Sequence, residues 1–288
     1  MGNRVVTGKT KLCGLIGDPV EHSMSPAMHN AAFAKLGLDF CYVPFRVKPE
    51  DLPQAVAGMR ALNIRGLNVT IPHKVAIIPY LDELDPLAEK IGAVNTVVND
   101  NGVLQGFNTD AIGFLEALIQ KGMEPKGKKV VVLGAGGAGR AVSFVLAERG
   151  AHLVILNRWL ELDWAEELAS QLTQTFQKEV KAQELTEVNL ARSLKEAYIL
   201  VNATSIGMSP NIDETLVSPD LLRPSLVVFD IVYNPVKTKL LNQAEQVGAQ
   251  IISGLEMLVW QGALAFELWT GAKAPVELMR KEVLKVLS

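Results

Sequence analysis

The chain has 288 residues, of which 49% are hydrophobic and 20% charged, with Gly 23 and Pro 14. At roughly 150 residues per domain this predicts about two domains with buried cores and excludes a disordered or fibrous chain. Lys and Arg number 28 against 31 Asp and Glu, a net charge of −3, so no cationic excess exists to neutralise a nucleic acid or an anionic membrane.

Cys13 and Cys41 stand in separate apolar segments with no CxxC pair. Neither a disulfide framework nor a zinc site is expected, and a reducing cytoplasm is the natural location. The apolar run 12–17 is too short for a signal-peptide core, and no uncharged stretch approaches the roughly 18 residues of a membrane span. Gly2 follows Met1, yet Val6 stands where a myristoylation signal requires Ser or Thr.

In chain order, short β-rich runs alternate with amphipathic stretches, the rhythm of an α/β protein. Residues 12–16 predict a strand that breaks at Gly17, Asp18 and Pro19. Ser25 and Pro26 suit the N-cap and first position of a helix that Gly37 closes. A strand at 42–47 precedes Leu52, Val56, Met59 and Leu62 at helical spacing, and 66–70 forms the next strand. A helix-like stretch at 85–91 leads into runs 94–99 and 103–107, which flank Asp100, Asn101 and Gly102, a hairpin signal. The first domain is expected at 1–110.

A helical pattern at 112–121 and a Gly/Pro/Lys cluster at 122–129 open a second domain, expected over 111–255. Its strand candidates are 130–133, 152–156, 198–202, 226–231 and 250–252, with helical patterns among most of them, which outlines a doubly wound sheet. The segment 255–287 reads as two helices split near 271–275, and residues 256–288 are expected to complete the first domain.

Gly134, Ala135, Gly136, Gly137, Ala138 and Gly139 satisfy G-x-G-x-x-G after one strand and before a helical pattern. Such glycines let a backbone turn tightly and approach a pyrophosphate, with helix N-terminal amides facing the anion; a plain glycine-rich turn is the alternative. The next strand ends at Asn157 and Arg158, where an NAD enzyme usually carries an acid for the ribose 2′-hydroxyl. A guanidinium there suits the 2′-phosphate of NADP, against the alternative of a solvated arginine. Glu161 and Asp163 lie close by in sequence and blur that choice.

Polar clusters in the first half fall at strand ends or turns: 18–30, 68–74, 95–96 and 108–110. The segments GDPVEHSMSPAMHN at 17–30 and GLNVTIPHK at 66–74 closely resemble the shikimate dehydrogenase family. The resemblance continues through GAVNT at 92–96, GFNTD at 106–110, NATSIGM at 202–208, DIVYNP at 230–235 and MLVWQG at 257–262, in order and over nearly the whole chain. It implies an N-terminal mixed-sheet α/β substrate domain, a Rossmann-like doubly wound NADP domain with a cleft between them, and C-terminal helices that return to the first domain.

The activity implied by the resemblance is an NADP-dependent alcohol dehydrogenase that reversibly reduces 3-dehydroshikimate to shikimate in chorismate and aromatic amino-acid biosynthesis. Lys74 and Asp110 match the family's catalytic pair, Ser23 and Ser25 its carboxylate-binding serines. Thr70, Asn95, Thr109, Tyr233 and Gln261 match positions that hydrogen-bond the ring hydroxyls or carboxylate. Met208 and Gly254 match positions beside the nicotinamide, by apolar contact and backbone approach. For Ser25, Met208 and Gly254 the plain alternatives are a helix cap, a core methionine and a turn glycine; for Lys74 and Asp110, a surface charge.

Reducing a ketone delivers a hydride to carbon and a proton to oxygen, which gives a lysine beside an aspartate its use. His22, His29, His73 and His152 form no metal-binding pattern, and no metal is expected. The partner is a small molecule, with no nucleic acid or membrane, and the protein is a monomer or homodimer.

One stretch departs from the family: Trp159 replaces the usual threonine after Asn157 and Arg158, and 160–164 supplies no second cation. Trp159 suits adenine stacking or plain packing. The departure keeps open a quinate/shikimate dehydrogenase that uses NAD or both cofactors, and a non-catalytic nucleotide-sensing or scaffold protein is the alternative of another class.

Overall fold

The alternating pattern builds two six-stranded sheets in the computed structural model, which describes residues 6–287. Gly2, considered above for lipid attachment, lies outside the described residues. The chain divides into two compact units, one of Met1–Thr109 with Val259–Ser288 and the other of Asp110–Leu258.

The first unit runs β1 Lys11–Gly17, α1 Ser25–Lys35, β2 Phe40–Arg46, α2 Leu52–Ala61, β3 Gly66–Val69, α3 His73–Ala76, β4 Glu83–Leu84, α4 Pro86–Ile91, β5 Thr96–Asp100 and β6 Val103–Phe107. Its sheet order is β2-β1-β3-β5-β6-β4. β1 reads as an unbroken apolar run because it lies between β2 and β3, parallel to both, with its residues from Cys13 onward buried. The β5–β6 pair is the antiparallel hairpin, and Asn101 and Gly102 hold the φ angles of 53° and 94° that its two-residue turn demands. Val56, Met59, Leu67, Val69 and Leu104 belong to the core beneath this sheet.

The second unit continues with α5 Thr109–Gln120, β7 Lys129–Leu133, α6 Gly137–Glu148, β8 His152–Asn157, α7 Leu162–Phe176, β9 Lys181–Glu184, α8 Glu187–Leu194, β10 Ile199–Asn202, β11 Val227–Asp230, α9 Lys239–Gln246 and β12 Gln250–Ser253. All its strand pairs are parallel, in the order β12-β11-β10-β7-β8-β9. Counted from β7, that is the 3-2-1-4-5-6 order of a doubly wound dinucleotide fold, whose strand order reverses between β7 and β10.

α10 Gly254–Thr270 and α11 Val276–Leu287 close the chain. α11 packs against α1, and Trp269 donates its indole N–H to the Val97 carbonyl at 3.1 Å. Gly66 is required there, because a Cβ would run into the Trp269 indole. β4 and β9 have no counterpart in the sequence pattern; both are short, polar strands at sheet edges. No helix of the described residues is long and apolar enough to cross a membrane.

Candidate functional site

In the first unit the polar residues at the strand ends form one buried network. The Thr109 backbone N–H donates to Asn95 Oδ1 at 2.7 Å, which turns Asn95 Nδ2 toward Thr109 Oγ1 at 2.9 Å and Gln261 Oε1 at 3.4 Å. Thr96 Oγ1 lies 3.2 Å from Thr109 Oγ1 and accepts from Asn68 Nδ2 at 3.1 Å. Asn68 Nδ2 also faces the Asn95 carbonyl at 3.4 Å, so Asn68 Oδ1 accepts the Tyr42 hydroxyl proton at 2.8 Å. Backbone groups therefore anchor the network at both ends and fix which way each amide points. Three of the expected substrate contacts, Asn95, Thr109 and Gln261, are thus joined directly.

Lys74 stands half-buried on α3, and its carbonyl accepts from the Val94 N–H at 2.8 Å, tying it to the residue before Asn95. Thr70 follows β3 and accepts at its carbonyl from His73 N–H. Buried His73, with a ring nitrogen 2.7 Å from the Val47 carbonyl, holds the short helix in place. Asp110 lies next to Thr109 in the first turn of α5 and is buried.

Ser25 is the first residue of α1 rather than its N-cap, a place taken by Met24 without a side-chain cap bond. The Ser23 hydroxyl instead accepts from the Ser25 N–H at 3.2 Å, so the capping role expected of Ser25 belongs to Ser23. Under this region His29 stacks on Tyr42, with centroids 4.5 Å apart. Both of its ring nitrogens are without partners, and burial pushes its pKa down to about 3, so the ring is neutral.

The second unit presents a different construction. Gly134 adopts φ 98°, and a Cβ there would sit 3.0 Å from Thr204 Cγ2 and 3.1 Å from the Ala203 carbonyl. Gly136 is the N-cap of α6, and a Cβ there would meet nothing within 4 Å. At Gly139 a Cβ would collide with the Gly134 carbonyl. The three glycines serve a tight turn, an open approach and close helix–strand contact, the division of labour that a bound pyrophosphate requires. Ala135 is buried, while Gly137 and Ala138 open α6. The residues present thus fit a dinucleotide on a structural observation, a cradle that side chains would fill.

Asn157 ends β8, and its Nδ2 donates to the Glu161 carbonyl at 2.7 Å. Arg158 follows, exposed but ion-paired with Glu161. Met208 is 38% exposed, so it is not a core methionine. Gly254 opens α10, and a Cβ there would strike the Ile231 carbonyl, so the close backbone approach at this turn accounts for the glycine. Burial pushes the Tyr233 phenol above its ordinary value.

Asp230, at the end of β11, carries a role the sequence reading did not assign. It is fully buried and accepts from Asn202 Nδ2 at 2.9 Å, Val232 N–H at 3.1 Å and Thr238 Oγ1 at 2.6 Å. Burial outweighs these bonds and pushes its carboxyl up to about 6. Tyr42, Asn68 and Asp230 lie on three separate strands; Asn68 and Asp230 stood within the segments GLNVTIPHK and DIVYNP without an assigned role, and Tyr42, inside β2, had no local signal. Cys13 and Cys41 are free thiols, and among the described residues no group of three or more His, Cys, Asp or Glu could hold a metal ion.

Comparison with known proteins matches residues 15–97 to the shikimate dehydrogenase substrate binding domain, 117–247 to shikimate / quinate 5-dehydrogenase and 254–284 to the shikimate 5'-dehydrogenase C-terminal domain. The chain is 54% identical over 285 residues to the shikimate dehydrogenase (NADP(+)) of Methanopyrus kandleri, covering 98% of each chain. A solved shikimate dehydrogenase in complex with NADP+ superposes with a TM-score of 0.91 at 45% identity, covering 99% of this chain and 98% of the other. The shikimate 5-dehydrogenase of Listeria monocytogenes, in complex with shikimate and NAD, gives 0.88 at 45% identity and 98% of each chain. With its glycine cradle, its buried amide–hydroxyl network and these likenesses over almost its entire length, the chain belongs to the shikimate dehydrogenase family.

Proposed function

We propose that the chain catalyses the reversible, NADP-dependent reduction of 3-dehydroshikimate to shikimate, the reaction of its family, in aromatic amino-acid biosynthesis. The observation that carries this reading is the buried network of Asn95, Thr96, Thr109 and Gln261, a dense set of uncharged donors and acceptors suited to a ring bearing several hydroxyls. Bound at the glycine cradle, NADPH supplies the hydride at nicotinamide C4.

Lys74 gives a proton to the carbonyl oxygen as it becomes a hydroxyl and takes it back in the reverse direction. Asp110 orients that ammonium or accepts from a ring hydroxyl. Ser23 and Ser25 donate to the substrate carboxylate, while Thr70 and Tyr233 complete the polar ring contacts. Met208 would pack against the nicotinamide, and Gly254 would let backbone approach it. Asn157 and Arg158 take the adenosine end. A reducing cytoplasm suits the two free thiols, and the protein acts as a monomer or homodimer.

Steady-state rates with shikimate or quinate and NADP or NAD test the proposal. Shikimate with NADP should give the highest kcat/KM; dominance of quinate with NAD overturns it. Folded protein that binds NADP without turning over shikimate returns the scaffold alternative. One observation favours relaxed cofactor choice, the ion pair between Arg158 and Glu161.

A further inference from the structure

Arg158 follows β8 directly with a guanidinium 68% exposed, yet it is already engaged by the carboxylate of Glu161, which is 22% exposed. The two are joined across the single 3-10 turn Trp159–Glu161, so the pair is local to one turn of chain. Between 159 and 177 no Lys or Arg occurs, whereas Glu161, Asp163, Glu166 and Glu167 follow in quick succession. On α6, Arg140 is likewise paired with a carboxylate, that of Glu167 at 3.4 Å. A 2′-phosphate, with a charge of about −1.5 to −2, that approaches Arg158 therefore competes with the Glu161 carboxylate already paired to it. A bare ribose 2′-hydroxyl faces no such competition and can donate to a carboxylate.

We propose that Glu161 sets the discrimination of this chain between NADP and NAD: its carboxylate occupies Arg158, and a 2′-phosphate gains the guanidinium only by displacing it. The inference rests on the dinucleotide reading of the glycine cradle and adds to it the residue that tunes cofactor choice. Glu161 holds the fold through its carbonyl, which accepts from Asn157, and not through its side chain, which makes no cap bond at α7. Its carboxylate can therefore be changed without loosening the end of β8.

The test is calorimetric titration of the wild type, Glu161→Gln and Glu161→Lys with adenosine 2′,5′-bisphosphate and with 5′-AMP, probes that need no turnover. Freeing a partly exposed guanidinium and removing one repulsive charge should tighten the bisphosphate about three- to tenfold in Glu161→Gln and leave 5′-AMP within about twofold. Glu161→Lys should tighten the bisphosphate further, and the ratio of kcat/KM for NADP over NAD should rise in the same order. Bisphosphate affinity unchanged or weakened in Glu161→Gln, while the wild type still turns over shikimate with NADP, overturns the role of Glu161 alone. A wild type that binds neither probe and turns over neither cofactor overturns the dinucleotide reading with it.

Discussion

The two ligand regions are built on opposite principles. In the first unit, the proposed ring site is assembled from side chains: five amides and hydroxyls, buried and mutually hydrogen-bonded, set each other's orientation. In the second, the cradle is assembled from the absence of side chains at three positions, with Gly134, Gly136 and Gly139 shaping a tight turn and an open approach. A polyhydroxylated ring differs from its analogues in where its hydroxyls sit, and fixed directional partners can read that difference. A pyrophosphate is common to every dinucleotide, so its site needs only amides and space, and discrimination falls, on the proposed reading, to Arg158, just past the following strand.

The largest test of this contrast is Lys74→Ala. Removal of the proton donor should lower kcat by about two decades or more, with the affinity for NADP left as in the wild type. A turnover equal to that of the wild type would remove Lys74 from the chemistry. A loss of NADP affinity as large as the loss of rate would show that the two regions are not separable in this way.

Next in size is a pH effect confined to the second unit. The Asp230 carboxyl is raised from 3.8 to about 6, so the folded chain binds more protons than the unfolded one between those values. Its contribution is therefore fully present below about pH 4 and is lost as pH rises through 6, by an amount on the order of 3 kcal/mol. Asp230→Asn removes the titration while keeping an acceptor for Asn202 and Val232. Denaturant unfolding at pH 4.5 and 7.5 should show the variant gaining on the wild type at the higher pH; parallel stabilities would place the titration elsewhere. His29 in the first unit has the reverse sign, because its lowered pKa removes stability as pH falls below about 6.5.

The same contrast explains how much could be read from the chain. The glycine cradle was legible because each glycine answers a local backbone demand that leaves its mark in consecutive residues. So was the hairpin, since Asn101 and Gly102 are the residue types that tolerate positive φ. The Tyr42–Asn68–Thr96 part of the network was not, because its members are separated by 26 and 28 residues and meet only through strand pairing. β9 escaped for a related reason: Lys181–Glu184 has no β-branched residue, and pairing with β8 makes it a strand. At Ser25, the helix-start pattern pointed one residue late, because Met24 takes the cap position and the Ser23 hydroxyl satisfies the first amide.

Substitutions at the glycines sharpen the backbone half of the comparison. Gly139→Ala places a methyl against the Gly134 carbonyl, and relieving that overlap should cost about 1–3 kcal/mol and open the cradle. Gly136→Ala meets open space, so its unfolding midpoint should stay near that of the wild type while NADP affinity falls. Equal losses of stability in the two variants would contradict the separate roles given to these glycines.

The smallest effect probes the side-chain half. Tyr42→Phe preserves the ring stacked on His29 and deletes only the hydroxyl that donates to Asn68 Oδ1. With that buried oxygen unsatisfied, stability should fall by about 1–2 kcal/mol. The Asn68 amide also loses one of the bonds that hold its oxygen away from Thr96 and the Asn95 carbonyl. A simple loss of stability would lower the amount of active enzyme and leave KM alone. Loosened amides at Asn68 and Asn95 should instead raise KM for shikimate several-fold while KM for NADP stays constant, which is the split that separates orientation of the ring contacts from folding. An unchanged KM for shikimate would reduce Tyr42 to a packing residue and confine the network's work to Asn95, Thr109 and Gln261.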